Sequence, residues 1–271
     1  MTVHATIKAA SESPPFRSPG NLNAIGLIAR KEAGEIIVSP RGRGWLLAMV
    51  GALSGFSLLL VGSTELSLLD NAQVVYDMAG IVIALGALLA LVVGSDAFAG
   101  EHERGSLTPL LLAPVSRRGI LAGKIGGQMV AWAVMFLLSL PYLWAVGSTG
   151  QNLAGSILGL ALFGTPVVLT FGLFAMGLGA RLGNVRTTMM TMLVVLLLAA
   201  SPLLIGPSLR QSTLGRWFDA VNPFSHAVNA LDAMIIDSLG VAAQSIHLAA
   251  SVAWLIFALA YAVRQTNRLV R

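Results

Sequence analysis

The chain has no cysteine in its 271 residues, which excludes disulfides, thiolate metal sites and cysteine nucleophiles together. Charge is scarce as well: Asp, Glu, Lys and Arg make up 11% of the residues, against roughly a quarter in a typical soluble domain, while apolar residues reach 56%. Such a chain cannot cover itself with polar surface, so water is not its main solvent. A P-loop is also missing. The nearest fragment, GILAGKI at 119–125, has three residues between its glycines, lacks the hydroxyl, and opens an apolar run rather than following a strand. IGGQ at 125–128 resembles an ATPase signature only in passing. His4, His102, His226 and His247 are scattered, and no apolar run holds clustered His, Asp or Glu. No catalytic residue, metal site or bound cofactor is therefore expected on this chain. The net charge of +5 lies in segments flanking apolar runs, which suits placement at a membrane and not contact with nucleic acid.

What the sequence does contain is apolar runs of about twenty residues, the length a helix needs to cross roughly 30 Å of hydrocarbon. Six spans are expected, at about 44–63, 78–99, 118–147, 154–180, 187–206 and 245–263. Residues 1–21 are expected to be a disordered cytoplasmic tail without the apolar core of a signal peptide, and 22–271 to form one six-helix domain. Fifteen of the seventeen Lys and Arg fall on one side of this arrangement, leaving only Arg210 and Arg216 opposite. The positive-inside rule then puts both termini in the cytoplasm, with the acidic 64–77 loop and the uncharged turn near 148–153 outside. The segment 207–244 has apolar stretches too short to span and is expected to form short external or re-entrant helices. Within it Asp219, His226, Asp232 and Asp237 are expected mainly in turn and cap roles of a hydrated surface.

Before the first span, LNAIGLIARKEAGEII sets Ile25, Ile28, Ile36 and Ile37 mainly on one helical side, and Arg30, Lys31, Glu32 and Glu35 on the other. This pattern suits a helix lying in the cytoplasmic interface. Small residues recur in the spans, with Gly51 and Gly55 at a close-packing spacing and Gly172, Gly177 and Gly179 farther on.

The stretch EHERGSLTPLLLAPVSRRGILAGK, 101–124, holds the densest local information. Gly105 interrupts the preceding helix and Ser106 is positioned to cap the next. Pro109 fits a first helical turn. Leu107, Leu110 and Leu111 form an apolar stripe that lipid headgroups, the bundle or a partner must cover. Pro114 pushes Ala113 out of the helical region and ends the helix. Ser116 can cap a new helix whose start is marked by Arg117 and Arg118. Asp96, near the end of the second span, is expected to reach cytoplasmic water or to pair with Arg104.

The run Glu-x-Glu-x-Gly-Ser-Leu-x-x-Leu-Leu-x-x-Pro-Val-Ser-Arg-Arg-x-x-Leu-x-x-Lys resembles the signature loop of ABC-2 type transporter permeases. It is most similar to the branch with gliding-motility permeases and the copper-maturation permeases of nitrous oxide reductase. Asp96 and the ARKE segment at 29–32 are also similar to that branch, and Pro109 departs from its commoner pattern. The resemblance implies an all-α membrane protein in which 106–113 is a coupling helix seated in a separate cytoplasmic P-loop ATPase. Glu101, Glu103 and Arg104 would brace or gate it, and Gly105, Leu107, Leu110, Leu111, Pro114, Arg117 and Arg118 would complete the partner-binding loop. It further implies a non-catalytic inner-membrane permease, two copies of which associate with ATPases that hold ATP and Mg. Export is the implied direction, lipids surround the chain, and an external partner is compatible. An ATP-independent carrier or an assembly scaffold is the rival reading. The mid-membrane ionisable groups of a carrier are lacking, and no motif indicates substrate-binding residues.

Overall fold

The computed structural model describes residues 21–62, 71–147, 153–203 and 212–269, apart from the side chains of Asn21 and Val61. The N-terminal tail, the first half of the 64–77 loop, most of the 148–153 turn, and 204–211 with Pro207 and Arg210 lie outside the described residues. Every regular element described is helical.

Helix α1 (Asn21–Ile37) is followed by α2 (Pro40–Gly62), and the Ser39 hydroxyl between them accepts a hydrogen bond from the Gly42 N–H at 3.0 Å. Helix α3 (Asn71–Glu103) starts earlier and ends later than the 78–99 expected from hydropathy, so Glu101 and Glu103 belong to its last turn and not to a loop. The short α4 (Leu107–Leu112) leads to α5 (Arg117–Gly147). The fourth span is continuous but not uniform: α6 (Leu153–Gly159) passes through a π-helical turn, Leu160–Gly164, into α7 (Thr165–Leu182). Pro166 follows this turn and has no N–H to give the ladder, and local widening is a common accommodation for such a gap. Gly183 takes the left-handed conformation (φ 64°) that ends α7, and Asn184 caps α8 (Val185–Ala199) by accepting from the Thr187 N–H at 2.8 Å.

Among the described residues five helices are long and apolar enough to cross a membrane: Pro40–Leu60, Asn71–Glu103, Arg117–Gly147, Leu153–Leu182 and Val241–Thr266. The last contains α11 (Ser245–Thr266). Where a sixth span was expected, α8 has 15 residues, about 22 Å of rise at 1.5 Å per residue, short of the hydrocarbon thickness. The chain beyond it comes back against the end of α8. Asn222, between α9 (Thr213–Val221) and α10 (Pro223–Ile235), donates its side-chain amide to the Ala199 carbonyl at the end of α8, 2.7 Å away. The Trp254 indole N–H donates to the Val221 carbonyl at 2.9 Å. Trp254 lies nine residues inside α11, about 14 Å from its start. Within 213–235 the two helices differ: α10 buries Phe224, Ala227, Val228 and Leu231 in the main core, whereas α9 buries none of its residues.

At the centre, α3 lies against α7 without intervening side chains. A methyl group on Gly94 would run into the Gly172 carbonyl oxygen, and one on Gly179 would come within 3.2 Å of the Ser95 carbonyl oxygen. Helix α11 flanks α7 through Tyr261, whose ring sits over Gly177. Phe174 packs edge-on to Trp254 and Phe257 at 5.9–6.2 Å between ring centres. On the other flank, Gly123, Gly126 and Gly127 of α5 form a shallow seat for Ile28, Ala29 and Glu32 of α1.

Candidate functional site at the signature loop

Helix α3 stops at Gly105, whose φ of 70° favours glycine. Because the reversal is made there, Ser106 already has helical backbone angles (φ −85°, ψ −11°) and does not cap α4 as the sequence suggests. Its hydroxyl turns back to donate to the Glu101 carbonyl at 3.3 Å. Leu107 is buried against a small core of Ala97, Phe98, Ile120 and Leu121, and Leu110 and Leu111 pack partly on the same core. The apolar stripe is thereby covered by the bundle itself. The outward side of α4 is Thr108, Pro109 and Leu112, the last 80% exposed. Ala113 is extended ahead of Pro114 (ψ 148°), and Ser116 accepts from the Gly119 N–H at 3.1 Å, as the residue pattern anticipates.

The charged residues of the loop reach past α4 to other elements. Arg104 holds both carboxylate oxygens of Asp96 at 3.1–3.2 Å, the pairing expected for that acid. Glu103 accepts from the Val185 N–H at 2.9 Å, placing a negative charge at the start of α8, where the helix dipole favours it. Arg117 donates to the Asn267 carbonyl at 2.8 Å beyond the end of α11, while Arg118 is exposed. A cavity of about 430 Å³ opens beside the Asp96–Arg104 pair, with Ile36, Trp45, Val92 and Met189 as apolar wall and Arg41 at its edge.

Glu101 is the pivot of a buried ionic cluster. Its Oε1 accepts from Lys124 Nζ at 3.0 Å and Lys31 Nζ at 3.1 Å, and Lys124 also reaches Glu32 at 2.8 Å. Lys124 is 1% exposed, Glu101 3% and Glu32 8%. The Lys124 ammonium lies 5.3 Å from the centre of the Phe98 ring. Two charges taken so far from water are tolerable only when paired, and removing one partner strands the others. The outer lysine, Lys31, also lies 3.5 Å from Glu35. Burial pulls its pKa down, but the hydrogen bond to Glu101 and the surrounding carboxylates outweigh this and hold it above the ordinary lysine value. Glu101 Oε2 has no hydrogen-bond partner among the described residues. The cluster fastens three pieces at one point: α1, the last turn of α3 and the first turns of α5.

Of the residues singled out from sequence, Glu101 is at this cluster, Glu103 and Arg104 at two neighbouring contacts, and Leu107, Leu110 and Leu111 in the core beneath α4. Lys124 and Glu32 were missed as functional positions. Glu32 had been assigned to the polar side of α1, yet it faces inward onto Gly127. The available signal was a lysine seven residues past Arg117 inside an apolar run, with three glycines at helical spacing around it. Among the described residues no group of three or more His, Cys, Asp or Glu side chains is arranged to hold a metal.

One relative, described as a probable ABC transporter permease protein NosY from Stutzerimonas stutzeri, is 34% identical over 125 residues. That match covers 43% of this chain and 43% of the relative, so the chain spans less than half the length of the curated relative it matches. A family model described as ABC-2 family transporter protein matches residues 26–268, from α1 to just beyond α11. The chain is therefore a multi-pass membrane protein of the ABC-2 transporter permease family.

Proposed function

We propose that this chain is the membrane subunit of an ATP-driven exporter, and that it receives force from a separate cytoplasmic P-loop ATPase through α4. The carrying observation is the construction of that helix: six residues between two spans, with Leu107 locked into the core and Leu112 left bare. Its exposed side, Thr108, Pro109 and Leu112, is the part of the loop left open to a partner. The contacts behind α4 explain how a push spreads. Glu101 passes it to α1 and α5, Glu103 to α8, and Arg117 to the end of α11.

In this reading α8 and the re-entrant 213–235 segment together do the work of a sixth span, which leaves both termini on the cytoplasmic side with the basic loops. The protein sits in the cell inner membrane as a homodimer and performs no covalent chemistry. ATP and Mg belong to the partner. Closure of the ATPases drives the α4 pair and shifts the permease between inward- and outward-open states.

The test is copurification in mild detergent, with ATPase activity measured on the wild type and on Leu112→Asp. Leu112→Asp is expected to lose the ATPase while the permease keeps its elution profile, because Leu112 contributes no burial to its own fold. Retention of the ATPase by Leu112→Asp would overturn α4 as the docking element. Failure of any ATPase to associate with the wild type would overturn the exporter reading and favour a carrier or scaffold.

A further inference from the structure

Two histidines meet where α10 leans on α11, at the end of the bundle opposite the signature loop. His226 is in the first turn of α10 and His247 in the first turn of α11. Their Nδ1 atoms are 3.1 Å apart, and the rings are tilted by 50° with centres 5.4 Å apart. The protons can be assigned from the heavy atoms. His226 Nε2 is 3.2 Å from the Ala220 carbonyl, which can only accept, so Nε2 carries the proton of neutral His226 and Nδ1 is left as a bare lone pair. His247 Nδ1 must then donate to it. Both rings are part-exposed at the protein surface, which leaves the pair open to a ligand.

This brings two potential ligand nitrogens within the span of one ion. A metal-binding imidazole commonly gives its other N–H to a backbone carbonyl, which fixes ring and tautomer, as Ala220 does for His226. If the His247 proton moves from Nδ1 to Nε2, both Nδ1 lone pairs are freed with no net loss of a proton, and a modest turn of the rings aims them from each other toward one ion. At the ~2.0–2.1 Å usual for zinc–imidazole bonds, two nitrogens 3.1 Å apart subtend about 100° at the ion, close to a tetrahedral angle. No third metal-type side chain joins them among the described residues, so water completes the shell.

We propose that His226 and His247 form a two-histidine site for a borderline divalent cation of the zinc or nickel class, which fastens the re-entrant segment to the last membrane helix. Imidazole nitrogen selects such ions over calcium or magnesium, which take oxygen. The site is independent of the transport reading, since neither residue touches the signature loop.

The experiment uses the full chain in nanodiscs, purified without a histidine tag and stripped with chelator, and titrated calorimetrically with Zn²⁺. One equivalent per chain is expected, weakened roughly tenfold or more by His226→Gln and by His247→Gln and unchanged by His102→Gln. Imidazole ¹⁵N spectra of the wild type give a check that does not depend on variants folding. Zn²⁺ should shift the Nδ1 resonances of both rings and leave His226 Nε2 protonated. Absence of a one-equivalent event, equal binding in the two Gln variants, or Zn²⁺ shifts confined to other histidines would overturn the site.

Discussion

The central spans and the outer ones differ far more in burial than in apolar character. In α3 and in Leu153–Leu182, 67% of the most apolar window is buried inside the chain, whereas in Pro40–Leu60 and Val241–Thr266 only 17% is. Hydropathy reports which solvent a helix belongs to and not which neighbours it has, because lipid and protein interior are equally apolar. Small residues make the difference. Gly86 of α3 receives the Trp132 ring and Gly94 the backbone of α7, while Gly51, Gly55 and Gly62 of α2 meet nothing within 4 Å. The same residue type therefore builds the core in one helix and a vacant surface in the other.

This contrast can be broken most severely at its charged end. Lys124→Ala leaves the buried Glu32 and Glu101 to share only the outer Lys31 and is expected to cost about 3 kcal/mol. Thermal unfolding in detergent, followed by circular dichroism, reads the loss, and an unchanged midpoint would show that the cluster is hydrated. Next in size is Gly94→Ala, which forces α3 away from the Gly172 carbonyl and is expected to cost about 1–3 kcal/mol by overpacking. The paired substitution Gly51→Ala, Gly55→Ala is expected to change the stability of the single chain by less than about 0.5 kcal/mol. If a second copy covers α2, the same variant weakens dimerisation in analytical ultracentrifugation, and the contrast sharpens.

The smallest effect concerns Lys31. Its pKa is raised in the fold, so its contribution is complete below the ordinary value of 10.5 and is lost only as pH rises past it. With no cysteine in the chain, a single probe can be attached at Gly26→Cys, a position with open space around it. Its signal is expected to stay flat from neutral pH to about pH 10 and to change above that, as α1 loosens from α5. A change near pH 7 would mean that another group holds α1.

The sequence-level reading was strongest where periodicity and local chemistry agree. The all-helical class, the family, the break at Gly105, the stop at Pro114 and the Ser116 cap are set by residues close in the chain. The reading weakened where the partner is distant. Burial of Glu32 depends on Gly127, and the inward turn of Leu107 depends on Phe98 and Ile120, none of which is visible from helical spacing alone. The shortness of α8 was hidden because the apolar residues at 200–206 prolong the hydropathy run past the point where the helix ends.

The contacts between 213–235 and α11 have a consequence for the order in which the protein is made. Val221 accepts its hydrogen bond from Trp254, and His226 leans on His247, so the resting place of 213–235 is built partly by residues that leave the ribosome later. Until α11 is synthesised, α9 and α10 lack one wall of the place they rest in. The insertion machinery must therefore hold this segment at the membrane without a finished destination. Chains truncated before residue 245 are expected to expose it to added protease, and chains extended through residue 266 to protect it.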